Sequence, residues 1–289
     1  MRKSLQAALF LMTCAGLLTG TAGAQQTGNT LKTIADTKTI RMGYLRESVP
    51  FSFVDQNGDP SGYSIDLCKR VAAGIQQQLN LPDIAIKWTP VTLANRFDLV
   101  SSGGIDLECG TSTNSLSRQK QVDFSVMTWV DGGNFVVKAG QPHHSLADLA
   151  GKKIAVVAGT TTESGLRAAL KKGFVNAEIV TVSKHLDGLN ALQKGEVDAY
   201  ASDQTVLIGL ALAIRDQMQL NIGEQNFSFE PYGLVLRRND ADFKQAVNTV
   251  LARLYRSDEI VQIYKRWFGG LGEPAPGLVM MFGLNGLPE

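Results

Sequence analysis

An internal echo constrains this chain more than any other feature. Asn95–Ser125 spells NRFDLVSSGGIDLECGTSTNSLSRQKQVDFS, and its core returns at Leu189–Gln204 as LNALQKGEVDAYASDQ. Each copy reads as a helix, a glycine stop, a short strand and a polar turn. The fold must therefore hold two related units. Aligning Gly103 with Gly195 sets Ile105 on Val197, Asp106 on Asp198 and, at the far strand ends, Thr111 on Asp203. Upstream, TIRMGYLR and KKIAVVAGT each give an apolar strand and a turn, which places Arg46 opposite Thr160, while Leu93 matches His185. In open α/β sheets ligands sit beyond the carboxyl ends of the strands. A site is expected between Arg46, Leu93 and Thr111 on one side and Thr160, His185 and Asp203 on the other.

The rest of the chain repeats the same grammar. Thr39–Leu45 reads as a strand, Arg46–Phe53 as an irregular loop, and Gly62–Leu79 as a helix whose apolar residues Leu67, Cys68, Val71, Ala72, Ile75 and Leu79 recur at three-and-four spacing. Ile84, Ile86 and Trp88 alternate as a strand. A second pass opens with the capping-box-like Ser145–Asp148, then the strand Lys153–Ala158, the threonines Thr160–Thr162, the helix Glu163–Lys172 and the strand Glu178–Val182. Asp240–Phe268 is helical with an apolar core stripe, and the Gly- and Pro-rich tail Gly269–Glu289 is expected to wrap the surface. Helices alternating with strands predict an α/β protein in which mostly parallel sheets are flanked by helices. Late helices packed back on the first unit make the chain cross twice, near Thr128–Asn134 and Phe227–Tyr232. The result is two lobes on a two-strand hinge, with 25–131 and 231–289 as lobe 1, 132–230 as lobe 2, and a cleft between them.

A length of 289 residues suits two such lobes, and a formal charge of only +1 gives no basic field for nucleic acid. The N-terminus reads as a signal peptide over residues 1–24: Arg2 and Lys3, the apolar run Ala7–Leu18, and Ala22-Gly23-Ala24 as the cleavage site. Removal after Ala24 takes away two positive charges and leaves −1. A lipoprotein reading of Cys14 fits less well, because Met12-Thr13 is a poor lead-in. No later segment approaches the roughly 20 apolar residues of a membrane span. Export leaves Cys68 and Cys109 where disulfides persist. A structural bond between them fits better than metal or redox chemistry, which would want CxxC or His-rich spacing, although their separation is not fixed by sequence. No metal or other cofactor is expected.

A free amino acid dictates what such a cleft must offer. Its carboxylate wants an arginine or helix N-terminal amides, and its ammonium wants a carboxylate with hydroxyl or carbonyl acceptors. Arg96, Thr111 and Thr113 suit the carboxylate, and Asp203 suits the ammonium. Counting Arg46 and Arg96 against Asp203 leaves one positive charge, which matches glutamate or aspartate rather than glutamine. His185 adds a hydrogen bond to the ligand's side-chain carboxylate. Simpler roles stand beside these: Arg46 solvated, Asp203 as a helix N-cap, His185 as a surface helix cap, and Arg118, Lys120 and Asp123 as a solvated or inter-strand charge cluster.

The segments RESVPFSF, GYSIDLCKRV, VTLANR, DLECGTSTNSLSRQKQVDFS, AGTTTES, SDQ, EPYGLVLR and YKRWF resemble the solute-binding proteins of polar amino-acid ABC importers (family 3), and in particular the periplasmic glutamate/aspartate-binding proteins. The resemblance implies the type II periplasmic-binding fold, a monomer that closes on L-glutamate or L-aspartate and docks on an inner-membrane ABC permease. It assigns the α-carboxylate to Arg96, Thr111 and Thr113, the α-ammonium to Asp203, the side-chain carboxylate to Arg46 and His185, and further contacts to Thr160 and Thr161. Leu93 stands where that pattern usually has a serine, and Leu234 where close relatives carry a cysteine, which leaves Cys109 to pair with Cys68.

Three alternatives follow. One is a binding protein for another polar amino acid such as glutamine. Another is a periplasmic lyase on the same fold with Glu108 or His185 as acid or base, although alternation with Gly110 turns Glu108 away from the strand-end turn. The third, a receptor's sensing domain, lacks the membrane span and effector segment it would need and survives only as a binding protein that presents its ligand to a separate receptor.

Overall fold

A computed structural model describes residues 29–288. The signal-peptide reading, with its cleavage after Ala24, lies outside the described residues. The chain enters through α1 (Thr30–Thr37) and β1 (Thr39–Tyr44), then makes a small sheet from β2 (Glu47–Ser48), β3 (Ser52–Val54) and β4 (Pro60–Ser61). Next come α2 (Tyr63–Gln78), β5 (Ala85–Pro90), α3 (Arg96–Ser101), β6 (Leu107–Glu108) and β7 (Val122–Asp131). The second half runs through β8 (Gly133–Lys138), β9 (Lys153–Val157), α4 (Thr161–Lys172), β10 (Glu178–Val182), α5 (His185–Lys194), β11 (Ala199–Asp203), α6 (Gln204–Ala213) and β12 (Leu220–Ile222). It returns through β13 (Glu230–Arg237) and closes with α7 (Ala241–Tyr255), α8 (Asp258–Phe268) and α9 (Pro276–Asn285).

Two five-stranded sheets result, ordered β5-β1-β6-β13-β7 and β10-β9-β11-β8-β12. They have the same plan. In each, three strands pair in parallel at one edge, and a strand arriving from the other sheet, β13 or β8, inserts antiparallel at the fourth position. The sheets are thus mixed, because a chain that changes sheets comes back in the opposite direction. Between β7 and β8 the crossover is Gly132, and the return segment packs tightly on it: Phe227 donates its N–H to the Gly133 carbonyl at 2.8 Å. A Cβ at Gly132 would lie 2.5 Å from the Asn226 amide nitrogen, so only glycine lets the two crossing segments meet.

Aromatic rings fill the core beneath this crossing. Trp129 stacks on Phe268 at 4.3 Å, and Phe51 meets the edges of Trp129 and Tyr232 at 5.2 and 5.4 Å. Such pairs add about 0.5–1.5 kcal/mol each beyond their buried area. The base of the crossing is therefore rigid. Cys68 and Cys109 are disulfide-bonded with Cα atoms 6.2 Å apart, tying α2 to the end of β6.

Local boundaries differ from the sequence reading where capping decides them. The α4 helix begins at Thr161 because the Thr160 hydroxyl accepts the Glu163 N–H. Asp240–Phe268 is two helices, split where Ser257 caps the second. The tail is not merely a surface wrap: Pro276 starts α9, which buries Leu278, Met281 and Phe282. Among the described residues, no helix is long and apolar enough to cross a membrane.

Candidate functional site

The strand ends of the two sheets meet at one small cavity. It is lined by Leu93, Arg96, Thr111, Thr113 and Arg118 from the first half and by Thr160, Thr161, Thr162, His185 and Asp203 from the second. Its volume of about 20 Å³ holds roughly one water molecule. An amino acid enters only if the two halves part.

Arg96 opens α3 and is 2% exposed. Its Nε donates to Ser112 Oγ at 2.8 Å and its Nη1 to the Leu93 carbonyl, so the guanidinium is fixed from behind. Burial lowers its pKa to about 10, opposed by Glu108, and it stays charged. Both Glu108 oxygens are fully buried, and its carboxyl presses on Gly110, where a Cβ would lie 2.1 Å from Oε1. Burial raises the Glu108 pKa against the pull of Arg96. Glu108 thus turns back toward Gly110 and backs Arg96 without lining the cavity.

Arg118 is the residue that sequence reading missed. It does not belong to a solvated cluster with Lys120 and Asp123; Asp123 pairs with Lys244 at 3.4 Å instead. The Arg118 Nη1 donates to the Thr113 carbonyl at 2.9 Å. Both guanidinium groups lie over the Phe97 ring, Arg96 at 4.5 Å and Arg118 at 5.1 Å, and the ring offsets part of their repulsion. The available signal was an arginine following a strand-end threonine pair, Thr111 and Thr113, by one turn.

On the other side, Asp203 stands at the N-cap position of α6 but makes no capping bond. Its Oδ1 accepts from Thr162 Oγ1 and its Oδ2 from the Tyr232 hydroxyl at 2.5 Å. Burial, reinforced by Glu230, pushes its pKa up to about 6. His185 is the buried first residue of α5, not a surface cap. Its Nδ1 lies 2.6 Å from the Tyr200 hydroxyl and its Nε2 3.4 Å from Ser48 Oγ, and burial, then Arg96, lower its pKa to about 4. It is a neutral hydrogen-bonding ring at physiological pH.

Bonds cross the cleft. Glu230 Oε2 accepts from Thr113 at 2.7 Å and from Thr161 at 2.6 Å, which brings the two hydroxyl oxygens to 3.1 Å of each other. Glu47 accepts from the Leu186 N–H at 3.3 Å and faces Lys184 at 3.8 Å. These contacts hold the halves together.

Arg46 lies outside the central cavity. It is exposed beside a neighbouring chamber of about 350 Å³ lined also by Ser48, Thr92, Leu93, Lys184 and His185. Leu93 and His185 line both spaces and form the partition. Nor does Arg46 oppose Thr160. Met42 pairs with Leu107 and Ile154 with Ala199, a register that sets Arg46 on Ala158. Past their first strands the halves diverge: one turns at Gly159 (φ +73°) into α4, the other enters the small sheet.

Thr160 lines the cavity while capping α4. The lining charges are Arg96 and Arg118 against Asp203, two minus one, the same single positive excess with Arg118 in the place of Arg46. Among the described residues, no group of three His, Cys, Asp or Glu is placed to hold a metal ion.

Residues 40–270 match the bacterial extracellular solute-binding proteins, family 3. The chain belongs to this family. The L-glutamate/L-aspartate-binding protein of Pseudomonas aeruginosa is 35% identical over 255 residues, covering 88% of this chain and 84% of that protein. The glutamate/aspartate import solute-binding protein of Salmonella typhimurium is 33% identical over 268 residues, covering 93% of this chain and 89% of its own. Among solved structures, an ancestral arginine-binding protein bound to arginine is similar with a TM-score of 0.72 and 29% identity, over 80% of this chain and 99% of that one. An enclosed space between two sheet-bearing halves, with a few convergent polar groups on its walls, has the form of a small-molecule pocket.

Proposed function

We propose that this solute-binding protein captures L-glutamate or L-aspartate between its halves and hands it to an inner-membrane ABC permease. The observation that carries the acidic ligand is the lining itself, two arginines against one aspartate around a single enclosed space. A ligand of net charge −1 neutralises that excess, whereas glutamine leaves a buried cation unmatched. The relatives named for glutamate and aspartate support the same choice.

In this reading Arg96, Thr111 and Thr113 hold the α-carboxylate, Asp203 holds the ammonium, and Thr160, Thr161 and His185 complete the shell from the second lobe. Arg118 shares the acidic end of the ligand with Arg46, which reaches it from the neighbouring chamber as the halves open and close. The moving bodies are 25–131 with 231–289 and 132–230. Binding proceeds without turnover, by a monomer working in the periplasm after cleavage behind Ala24.

Calorimetric titration of ligand-stripped protein tests this directly. Glutamate or aspartate binding at least tenfold tighter than glutamine is the expected result, about 1.4 kcal/mol or more. Preference for glutamine overturns the acidic reading. A dicarboxylate without an amine binding best removes Asp203 from its ammonium role.

A further inference from the structure

A second carboxylate stands behind Asp203. Asp131 ends β7 where the chain leaves the first sheet. Its Oδ1 accepts the Gly132 N–H at 2.9 Å, and its two oxygens lie 3.3 and 3.2 Å from the Thr205 N–H at the start of α6. Its Oδ2 also lies 3.4 Å from the Tyr232 hydroxyl, whose proton goes to Asp203 at 2.5 Å. A phenol has one proton to give. With that proton on Asp203, the contact between Asp131 and the Tyr232 oxygen is a hydrogen bond only when Asp131 carries a proton of its own.

The surroundings favour that proton. Glu230 from β13 adds a third acid near Asp203, while the cations acting on Asp203 are Arg118 and Arg96 across the cavity. Thr162 from α4 and the Thr205 amide contribute only hydrogen bonds, and Tyr200 from β11 is neutral. Two carboxylates flanking one hydroxyl in an enclosed space ionise together only at high cost.

We propose that Asp131 and Asp203 share one proton across Tyr232 in the ligand-free protein, and that the ligand's ammonium group displaces it to solvent. Amino-acid capture is then an exchange of one cation for another, with Asp131 acting as a positioning residue through Tyr232. The inference rests on the assignment of the ammonium to Asp203 and adds its proton balance. The proton leaves an Asp131 oxygen for water, Asp131 and Asp203 both end ionised, and the ammonium stands between Asp203 and the cavity.

The sign of the pH dependence follows. Burial and then Asp203 push Asp131 up to about 7. The free protein binds more protons than the complex, so affinity is full above that pH and falls below it, by at most about tenfold per pH unit.

The test is calorimetry of L-glutamate binding at about pH 6.5 in two buffers of different ionisation enthalpy, phosphate and imidazole. The expected result is a heat that differs between buffers by about one proton released per ligand. Asp131→Asn keeps a donor toward Tyr232 but has no proton to lose, so its heats agree between buffers and its affinity is flat with pH. Buffer-independent heat in the parent overturns the proposal without needing the variant. Undiminished release from D131N also overturns it, by placing the proton elsewhere, for instance on Glu108. If glutamate fails but another amino acid binds with proton release, the acidic reading falls and the exchange stands. If a dicarboxylate without an amine binds with the same release, the ammonium assignment and the exchange fall together.

Discussion

The two halves of the internal echo are alike where they carry the fold and unlike where they meet the ligand. Gly103 and Gly195 end their helices at φ +76° and +74°. Asp106 and Asp198 then act in the same way. Each accepts the first-strand amide, Arg41 N at 2.9 Å and Lys153 N at 2.8 Å, and each donates its own N–H to that residue's carbonyl at 2.8 Å. At the far strand ends the equivalence stops. Thr111 faces Asp203 in the alignment, and Leu93 faces His185. One scaffold built twice gives two strand ends aimed at one point, and divergence at those ends makes the site electrically polar. One wall carries Arg96 and Arg118 and the other carries Asp203.

Removing the polarity is the hardest way to break this comparison. Arg96→Ala deletes the cation whose guanidinium is already fixed by Ser112 and Leu93, and leaves the ligand's carboxylate and buried Glu108 without it. The expected loss is about 2–4 kcal/mol of binding, roughly thirtyfold to a thousandfold. Asp203→Asn at the opposite wall keeps the shape and loses the ammonium's counter-charge, with a loss in the same range. Calorimetry reads both. If either variant binds glutamate as the parent does, the two walls do not divide the ligand as assigned.

The scaffold half of the comparison is tested by unfolding. Asp106 is buried and also pairs with Arg41, whereas Asp198 is 40% exposed and its pairing with Lys152 at 3.7 Å is screened by solvent. Asp106→Ala is expected to cost about 2–3 kcal/mol of stability and Asp198→Ala about 1 kcal/mol, read from denaturant midpoints. Both should leave the ligand preference unchanged. Equal costs would mean that the shared amide clamp, and not the buried ion pair, carries the energy in each half.

Much of this was legible in the sequence because periodicity and repetition are local properties. The echoed helices and strands, the cavity residues Arg96, Thr111, Thr113, Thr160, Thr161, His185 and Asp203, and the pairing of Cys68 with Cys109 all sit where their segments place them. What escaped depends on contacts between distant parts. Arg118 lines the cavity because the turn after Thr113 folds back over Phe97. Arg46 misses it because the chain after β1 turns into a three-stranded sheet rather than a helix. Asp131 stood unremarked in a hydrophobic strand, and its neighbours Tyr232 and Asp203 are 101 and 72 residues away. The α9 helix was hidden by glycines, yet Pro276 at its first turn was the readable signal.

The smallest expected effect sharpens the comparison at the partition. Leu93 shares the wall between the central cavity and the Arg46 chamber with His185, and its backbone carbonyl also holds Arg96. Leu93→Ser keeps that carbonyl while trading an apolar side chain for a hydroxyl that can donate to an acidic ligand. A net hydrogen bond of about 0.5–1.5 kcal/mol predicts binding tighter by roughly twofold to tenfold. The gain should be larger for whichever of glutamate and aspartate extends its carboxylate to the partition. Titrating both ligands against the parent and L93S measures the difference. Equal gains would place the hydroxyl at the α-carboxylate that both share, and no gain would mean that Leu93 serves the site only through its backbone.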